Sequence, residues 1–213
     1  MKKALIVWGG WEGHTPEAAA QVTATMLKED GFEVEISATT EAFANPELDK
    51  LNLIVPIITQ SEIKEDEVNN LTAAVQSGVG LAGIHGGMGD SFRNAVDYQF
   101  MVGGQWVAHP GDIIDYRVNI IDQHDPITRG IDDFDYHSEQ YYMHVDPANK
   151  ILATTTFSGE HADWTRDVVM PVIWKRRHGA GRVFYSALGH TADEFSVPEM
   201  RTMFQRGMNW AAR

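Results

Sequence analysis

The first half of the chain alternates apolar runs with longer amphipathic segments. Four runs predict strands: residues 4–10, 32–37, 51–59 and 80–84. Three of them are almost continuously apolar, as strands buried on both faces of a parallel sheet usually are, and the second alternates apolar with polar positions. Three segments between and after them predict helices: residues 15–31, 63–78 and 91–104. This regular succession indicates a parallel sheet with helices on both faces.

Individual residues mark the ends of these elements. Thr15 is placed to cap the first helix, which has Pro16 at its first helical position and Gly31 at its end. Gly78 closes the second helix in the same way. Pro56 predicts a strand end or an irregularity, because proline cannot donate a backbone hydrogen bond to a sheet.

The second half is richer in strands. Four runs predict them: residues 115–122, 150–157, 169–177 and 181–188. The link between the last two, residues 178–181, has the composition of a hairpin turn. A final amphipathic helix begins at Val197, and its methionines and phenylalanine, at helical spacing, indicate core packing rather than a cofactor site. The predicted fold is one α/β domain over residues 1–213, with a doubly wound, mostly parallel sheet and an added antiparallel hairpin.

Composition and charge narrow the class of protein. A formal net charge of -13 argues against partners such as nucleic acid or an anionic membrane, because both require a basic surface. The chain has no cysteine, which excludes disulfides, iron–sulfur clusters and thiol nucleophiles. The first apolar run lacks the features of a signal peptide, and no stretch approaches the roughly 20 apolar residues of a membrane-spanning helix. A cytoplasmic location is therefore expected.

The stretch GLAGIHGGMGD, from Gly80 to Asp90, places a histidine between glycines at the end of an apolar run. A sharp turn from strand to helix needs small neighbours, and in hydrolases such an elbow carries the nucleophile. His85 would occupy this elbow, at the sheet edge where ligands bind. An imidazole there can ligate a metal, exchange protons or bind substrate. Gly86 and Gly87 are expected to supply backbone angles that other residues resist.

Other predicted strand ends add polar and aromatic side chains. These are Trp11, Glu12 and His14; Gln105, Trp106, His109 and Asp112; His137, Glu139, Tyr141, Tyr142 and His144; and His190. No two histidines have the close spacing of a metal motif on one helix, so a metal site would be assembled from separate loops. His124, His161 and His178 are expected at the surface. No nucleotide cofactor is expected, because neither the dinucleotide-binding nor the Walker glycine motif occurs.

Six stretches together resemble the ThuA-like family, named for trehalose utilisation: GIHGG, GGQWVAHPGD, HSEQYY, DWTRDVVMPVIW, GAGRVFYSALGH and RGMNWAAR. The resemblance implies the flavodoxin-like fold of class I glutamine amidotransferases, whose elbow holds a cysteine. Here that position is His85, so glutaminase chemistry is not implied. The resemblance does imply a role in sugar catabolism. It carries over four site residues: His85, His109, Glu139 and His190.

The leading hypothesis is an enzyme that acts on a disaccharide of the trehalose type or on its 3-keto derivative. A ketone at C3 acidifies the proton at C2, and removal of that proton would lead to isomerisation, elimination or glycosidic cleavage. The catalytic candidates are His85, Glu139 and His109. The candidates for sugar binding are Trp11, Gln105, Trp106, Tyr141 and Asp112. One divalent metal ion, zinc, manganese or similar, would stabilise the oxyanion. Its candidate ligands are His85, His109, His190 and His14.

Two other classes of function remain open. Glu12 or Asp112 could pair with Glu139 in a two-carboxylate glycoside hydrolase, which requires both carboxyl groups in one pocket. The chain could instead be a sugar-binding or sensing module without catalysis. The expected partner is a small sugar in every case, and self-association into a homo-oligomer is left open.

Overall fold

A nine-stranded sheet forms the centre of the computed structural model, which describes residues 1–213. The strands are β1 (Lys2–Gly10), β2 (Phe32–Ser37), β3 (Leu53–Thr59), β4 (Gly80–Ile84), β5 (Gly104–Ala108), β6 (Ile113–Ile120), β7 (Phe134–Glu139), β8 (Tyr142–Val145), β9 (Lys150–Thr156), β10 (Val169–His178) and β11 (Gly181–Ser186). The helices are α1 (Pro16–Glu29), α2 (Glu65–Gln76), α3 (His85–Gly89), α4 (Val96–Val102) and α5 (Pro198–Ala211). The strand order is β2-β1-β3-β4-β11-β10-β9-β6-β7, and β5 pairs with β8 separately.

The pairing in the sheet changes from parallel to antiparallel at β11. The strands β2, β1, β3, β4 and β11 are parallel, whereas β10, β9, β6 and β7 each join an antiparallel neighbour. The predicted hairpin between β10 and β11 is confirmed, with His178 opposite Gly181. The predicted α/β class is confirmed as well, but the antiparallel part is an extension of four strands rather than one hairpin.

Helices cover both faces of the sheet, and consecutive residues of β11 show the two sides. Phe184 lies against Gly207 of α5, where an added Cβ would stand 2.4 Å from its ring. Tyr185 faces the other way and lies against Gly89 of α3. Alternate side chains of a strand point to opposite faces, so both faces of β11 are buried. The apolar stripe of α5 is fully buried, which confirms core packing. No helix combines the length and the apolar character needed to cross a membrane.

Residues 91–104 do not form the single helix that the sequence predicts. Instead α3 follows β4 directly, α4 begins only at Val96, and β5 starts at Gly104. Tertiary hydrogen bonds hold the segment before α4, because the N–H of Gln60 donates to the carbonyl of Asp90 at 2.8 Å. The pair formed by β5 and β8 lies outside the main sheet and is also absent from the sequence prediction.

Thr15 and Pro56, which the sequence predicts to mark element ends, differ from expectation in the structure. Thr15 stands before α1 with a φ of 45° and makes no side-chain cap; its hydroxyl accepts from the N–H of Ala192 at 2.8 Å. It thereby joins the start of α1 to the loop after β11. Pro56 does not end the strand, since β3 pairs with β1 without interruption through Thr59, and its pairing with β4 stops at Ile54, before the proline.

Candidate active site

One edge of the sheet collects the loops that carry the predicted site residues. The strands β1, β3, β4 and β11 are parallel, so their carboxyl ends lie at the same edge. The antiparallel pairings beyond β11 bring β7 back to the direction of β11, so Glu139 at the end of β7 reaches this edge too. Ligands of such sheets bind outside the carboxyl ends of the strands.

His85 forms the turn between β4 and α3. Its φ of 47° lies in the left-handed region, which confirms a strained elbow. The strain belongs to the histidine itself, because neither Gly86 nor Gly87 has a positive φ, contrary to expectation. The glycines are needed for space. A Cβ on Gly86 would stand 2.6 Å from Cε1 of His14, and one on Gly87 would stand 3.0 Å from Cα of Ile57.

The imidazole of His85 is buried, and its two nitrogens have different partners. Nδ1 lies 2.8 Å from the carbonyl oxygen of Ala187, which can only accept, so Nδ1 carries the proton. Nε2 therefore presents a lone pair to Oε2 of Glu139 at 3.0 Å. Burial lowers the pKa of His85 to about 4, because the interaction with Glu139 compensates only in part for lost hydration. The ring is uncharged at neutral pH.

Two further imidazoles face the same carboxylate. His14 follows β1; its Nδ1 is 2.8 Å from Oγ1 of Thr59, and its Nε2 is 3.8 Å from Oε2 of Glu139. His190 follows β11, with Nε2 3.7 Å from Oε1 of Glu139. Ligand atoms of the three rings and the carboxylate all lie within 4.8 Å of one another. We call His14, His85, Glu139 and His190 the histidine–glutamate cluster.

The cluster places one carboxylate against three imidazole rings. Burial also lowers the pKa of His190. A carboxylate that faces the lone pair of the buried His85 imidazole calls for a cation between them. The donor set fits Zn²⁺ or a similar divalent ion, which imidazole nitrogen and carboxylate oxygen ligate.

His109 lies beside the cluster rather than in it. Its Nε2 is 3.7 Å from Oε1 of Glu139, and its side chain is 28% exposed. Its Nδ1 lies 3.4 Å from Oδ1 of Asp112 and makes no hydrogen bond. The structure therefore brings three of the four predicted metal ligands together with Glu139. It leaves the fourth, His109, at the open cleft, where it is accessible for proton exchange.

A cleft of about 190 Å³ opens beside the cluster. Its lining residues are Trp11, His14, Gln60, Asp90, Trp106, His109, Glu139 and Tyr141. Trp11 is half exposed, and Trp106 lies under the guanidinium of Arg93. Tyr141 stacks on His85 with ring centroids 3.9 Å apart. Burial raises the pKa of Tyr141 well above its usual value, so its hydroxyl stays protonated. Aromatic walls with a few polar groups are typical of small-molecule pockets.

Asp90 is a cleft residue that the sequence does not single out. Its carboxylate accepts two hydrogen bonds from Arg93, at 2.6 and 2.8 Å, and one from Nε2 of Gln105 at 3.0 Å. Gln105, predicted to bind substrate, thus holds Asp90 in place and does not itself line the cleft. Asp112 also lies outside the lining, with an exposed carboxylate next to His109. Its place at the end of the glycine-rich stretch from Gly80 to Asp90 was the only available signal for Asp90.

Gln60 is a second cleft residue that sequence patterns miss. It follows β3 with a φ of 54°. A residue with a Cβ in the left-handed region is strained by roughly 1–2 kcal/mol. Backbone hydrogen bonds hold this conformation, since the N–H groups of Gln60 and Ser61 donate to the carbonyls of Asp90 and Ser91, each at 2.8 Å. The side-chain amide has no partner in the protein and lines the cleft, which is typical of strain at a binding site.

Other predicted polar residues lie away from the cleft. Glu12 is exposed and does not contribute to the lining. His137 pairs with Asp115 at 2.8 Å on the exposed face of β6 and β7. The prediction of a surface His178 is wrong. The ring is buried and lies 3.2 Å from Nε2 of Gln76, because β10 extends through this residue.

Comparison with known proteins identifies a matching family and solved structures with a similar fold. The ThuA family, described as trehalose utilisation, matches residues 3–211. A search of curated proteins finds no match. A ThuA-like protein of Bacteroides uniformis ATCC 8492 has a TM-score of 0.82 at 18% identity, covering 99% of this chain and 91% of that one. A ThuA-like protein of Parabacteroides merdae ATCC 43184 has a TM-score of 0.81 at 17% identity, covering 99% and 89%. A cytoplasmic protein of Salmonella typhimurium LT2 has a TM-score of 0.66 at 13% identity, covering 99% and 100%.

Proposed function

This chain belongs to the ThuA family, and on that premise we propose that it is an enzyme of sugar catabolism acting on a 3-keto disaccharide of the trehalose type. The family, described as trehalose utilisation, supports the role in sugar metabolism. The histidine–glutamate cluster carries the enzymatic part, because its four ligand atoms lie within 4.8 Å beside an aromatic cleft. A cytoplasmic location belongs to the proposal, supported by the name of the Salmonella structure.

The cluster is assigned to one divalent cation, such as Zn²⁺ or Mn²⁺. Its ligands would be His14, His85, Glu139 and His190. Two of the rings are already oriented, since Nδ1 of His85 and Nδ1 of His14 each lie 2.8 Å from a protein oxygen. Outer partners of this kind orient histidine ligands in metal sites. When bound, the cation supplies positive charge that stabilises an oxyanion on the substrate.

His109 is the base in this proposal. Its Nε2 points toward the cluster from the cleft wall, and its ring is the most exposed of the four histidines there. The proton on C2 of the sugar moves to Nε2, the C–H electron pair forms a C2–C3 double bond, and O3 takes up the negative charge. The protonated hydroxyl of Tyr141, which also lines the cleft, is suited to donate a hydrogen bond to developing charge.

The enediolate has two outcomes that both conserve electrons and atoms. Transfer of the O2 proton to O3, followed by return of the proton from His109 to C3, gives the isomeric 2-keto sugar. Alternatively the C3 carbonyl re-forms, the electron pair shifts to a C1–C2 double bond, and the C1–O bond breaks. The departing sugar oxygen then takes the proton from His109. Elimination thus cleaves the glycosidic bond without a second catalytic carboxylate.

The two alternative functions have less support. A two-carboxylate hydrolase needs both carboxyl groups in one pocket, whereas Glu12 and Asp112, the two candidate partners of Glu139, lie outside the lining of the cleft. The other carboxylate that lines the cleft, Asp90, is bound by Arg93 and Gln105. A sugar-binding module without catalysis would use the same aromatic walls but has no need of three imidazoles around one carboxylate.

Metal content of the purified protein tests the cation first. Elemental mass spectrometry, on protein prepared without chelator, should give one divalent ion per chain. The ion should be lost from His85→Ala and kept in His137→Ala, since His137 is exposed and pairs only with Asp115. No metal in the parent protein would remove the cation from the proposal and leave acid–base chemistry by the protein alone.

Solvent exchange tests the chemistry. A 3-keto disaccharide incubated with enzyme in D₂O should gain deuterium at C2, detected by NMR, and the exchange should be lost in His109→Ala. Glu139→Gln should lose activity, and retained activity would count against the proposal. Absence of exchange and turnover in the parent protein, with sugar affinity unchanged in His85→Ala, would favour the binding module instead.

A further inference from the structure

The carboxylate of Glu194 gathers four hydrogen bonds close to the histidine–glutamate cluster. Glu194 lies in a short 3-10 segment after β11. Its Oε1 accepts from the hydroxyl of Ser138 at 2.7 Å. Its Oε2 accepts from the N–H of His190 at 2.9 Å, from the N–H of Gly189 at 3.2 Å and from the hydroxyl of Tyr136. Three of the four donors converge on Oε2 and one reaches Oε1.

The four donors come from two separate parts of the site. Tyr136 and Ser138 belong to β7, and Ser138 directly precedes Glu139. Gly189 and His190 belong to the loop after β11. In the sheet β10, β9 and β6 lie between β11 and β7, so no ladder hydrogen bond joins these two strands. The carboxylate of Glu194 therefore forms a direct link between the segments that carry two members of the cluster.

His190 is the imidazole that needs such a link. The other two rings of the cluster each have Nδ1 held by a protein oxygen at 2.8 Å. The ring of His190 makes no hydrogen bond, and its Nε2 faces Glu139 at 3.7 Å. Its position consequently depends on its backbone, whose N–H is held by Glu194, and on packing against the other two rings.

We propose that Glu194 is a positioning residue that places His190 against Glu139 for cation binding, an inference that rests on the proposed cation site. Glu194 does not line the cleft and acts only through the residues that it holds. Groups that orient metal ligands affect affinity strongly, because an unanchored ligand must be ordered when the ion binds.

The test is Glu194→Gln in the full chain, with Zn²⁺ and Co²⁺ as probes. Glutamine keeps the size of the side chain but presents an NH₂ group to donors that need an acceptor. Zn²⁺ affinity, measured by competition with a chromophoric chelator, should fall roughly 10- to 100-fold. The visible absorption of bound Co²⁺ should also change in shape, because it reports ligand geometry. If Glu194 only stabilised the fold, the folded variant would keep the Zn²⁺ affinity and the Co²⁺ spectrum of the parent protein.

Asp193→Asn is the matched control. It removes one negative charge from the same segment, but the Asp193 side chain is exposed and makes no hydrogen bond. It should bind both ions as the parent protein does. Equal affinity in Glu194→Gln and Asp193→Asn would overturn the role of Glu194 and leave the cation site standing. A parent protein that binds neither ion would overturn the cation site, and the role of Glu194 with it.

Ser138→Ala covers the case in which Glu194→Gln does not fold. It removes one donor from the carboxylate without changing any charge. A smaller fall in Zn²⁺ affinity with an altered Co²⁺ spectrum would support the link between β7 and His190. Affinity and spectrum identical to those of the parent protein would overturn it.

Discussion

Gly86→Ala tests why the elbow histidine is followed by glycine. The added Cβ would stand 2.6 Å from Cε1 and 2.9 Å from Nδ1 of His14, and 2.9 Å from Cγ2 of Thr59. Carbon atoms pack at roughly 3.5–4.0 Å, so the ring of His14 must retreat by about 1 Å. The ring is confined, because Thr59 binds its Nδ1 at 2.8 Å and Trp11 lies edge-on at 4.7 Å.

The expected loss of stability follows from three contributions. Overpacking costs about 1–3 kcal/mol. Loss of the hydrogen bond between His14 and Thr59 adds about 1 kcal/mol. The better helix propensity of alanine returns about 1 kcal/mol. The net fall in the free energy of unfolding is about 2 kcal/mol. Because Nε2 of His14 moves with the ring, Zn²⁺ affinity should fall by roughly tenfold or more.

Gly87→Ala separates crowding from damage to the site. It makes the same change in the same helical turn, but its Cβ would stand 3.0 Å from Cα of Ile57 and not against an imidazole. Urea unfolding in the presence of chelator, followed by tryptophan fluorescence, should show both variants destabilised. Zn²⁺ competition should show weakened binding only in Gly86→Ala. Zn²⁺ binding by Gly86→Ala at the parent affinity, or equal losses in the two variants, would refute this explanation of the glycine.

Two further predictions concern other parts of the molecule. Gln60→Gly removes backbone strain together with the unpaired amide, so KM for the 3-keto sugar should rise several-fold while the unfolding midpoint does not fall; an unchanged KM would count against substrate contact. Asp125 is buried and bound by Lys150 and Lys175. Burial alone would raise its pKa, but the two lysines outweigh burial and lower it. Its stabilisation is therefore present above the unfolded pKa of about 3.9 and is lost as pH falls through the lower folded value. Asp125→Asn should lower the free energy of unfolding at pH 7 by about 2 kcal/mol, with a difference that shrinks in acid; a pH-independent difference would contradict the ion pairing.

The sequence by itself determined most of the parallel half of the fold. The continuous apolar runs that became β1, β3 and β4 are local patterns, and their burial on two faces follows from the composition of each run. The final helix could be predicted equally well, because its apolar stripe repeats at the helical period. The helix expected over residues 91–104 failed for the opposite reason. Backbone hydrogen bonds from Gln60 and Ser61, 30 positions earlier in the chain, hold Asp90 and Ser91 at the start of that segment.

Some residues of the candidate site could likewise be predicted from the sequence, whereas others could be found only in the structure. His85 was recognisable because a histidine among glycines at a strand end is a local signal, and the family resemblance carried Glu139, His109 and His190. Only the tertiary structure decided that Glu139 joins three histidines while His109 stands apart, that Gln60 and Asp90 enter the cleft, and that Glu194 links β7 to the loop after β11. These relations depend on which strand ends become neighbours and on the side-chain distances between them. Strand order and distance arise from the packing of the whole sheet, whereas periodicity records only which face of each separate element is buried.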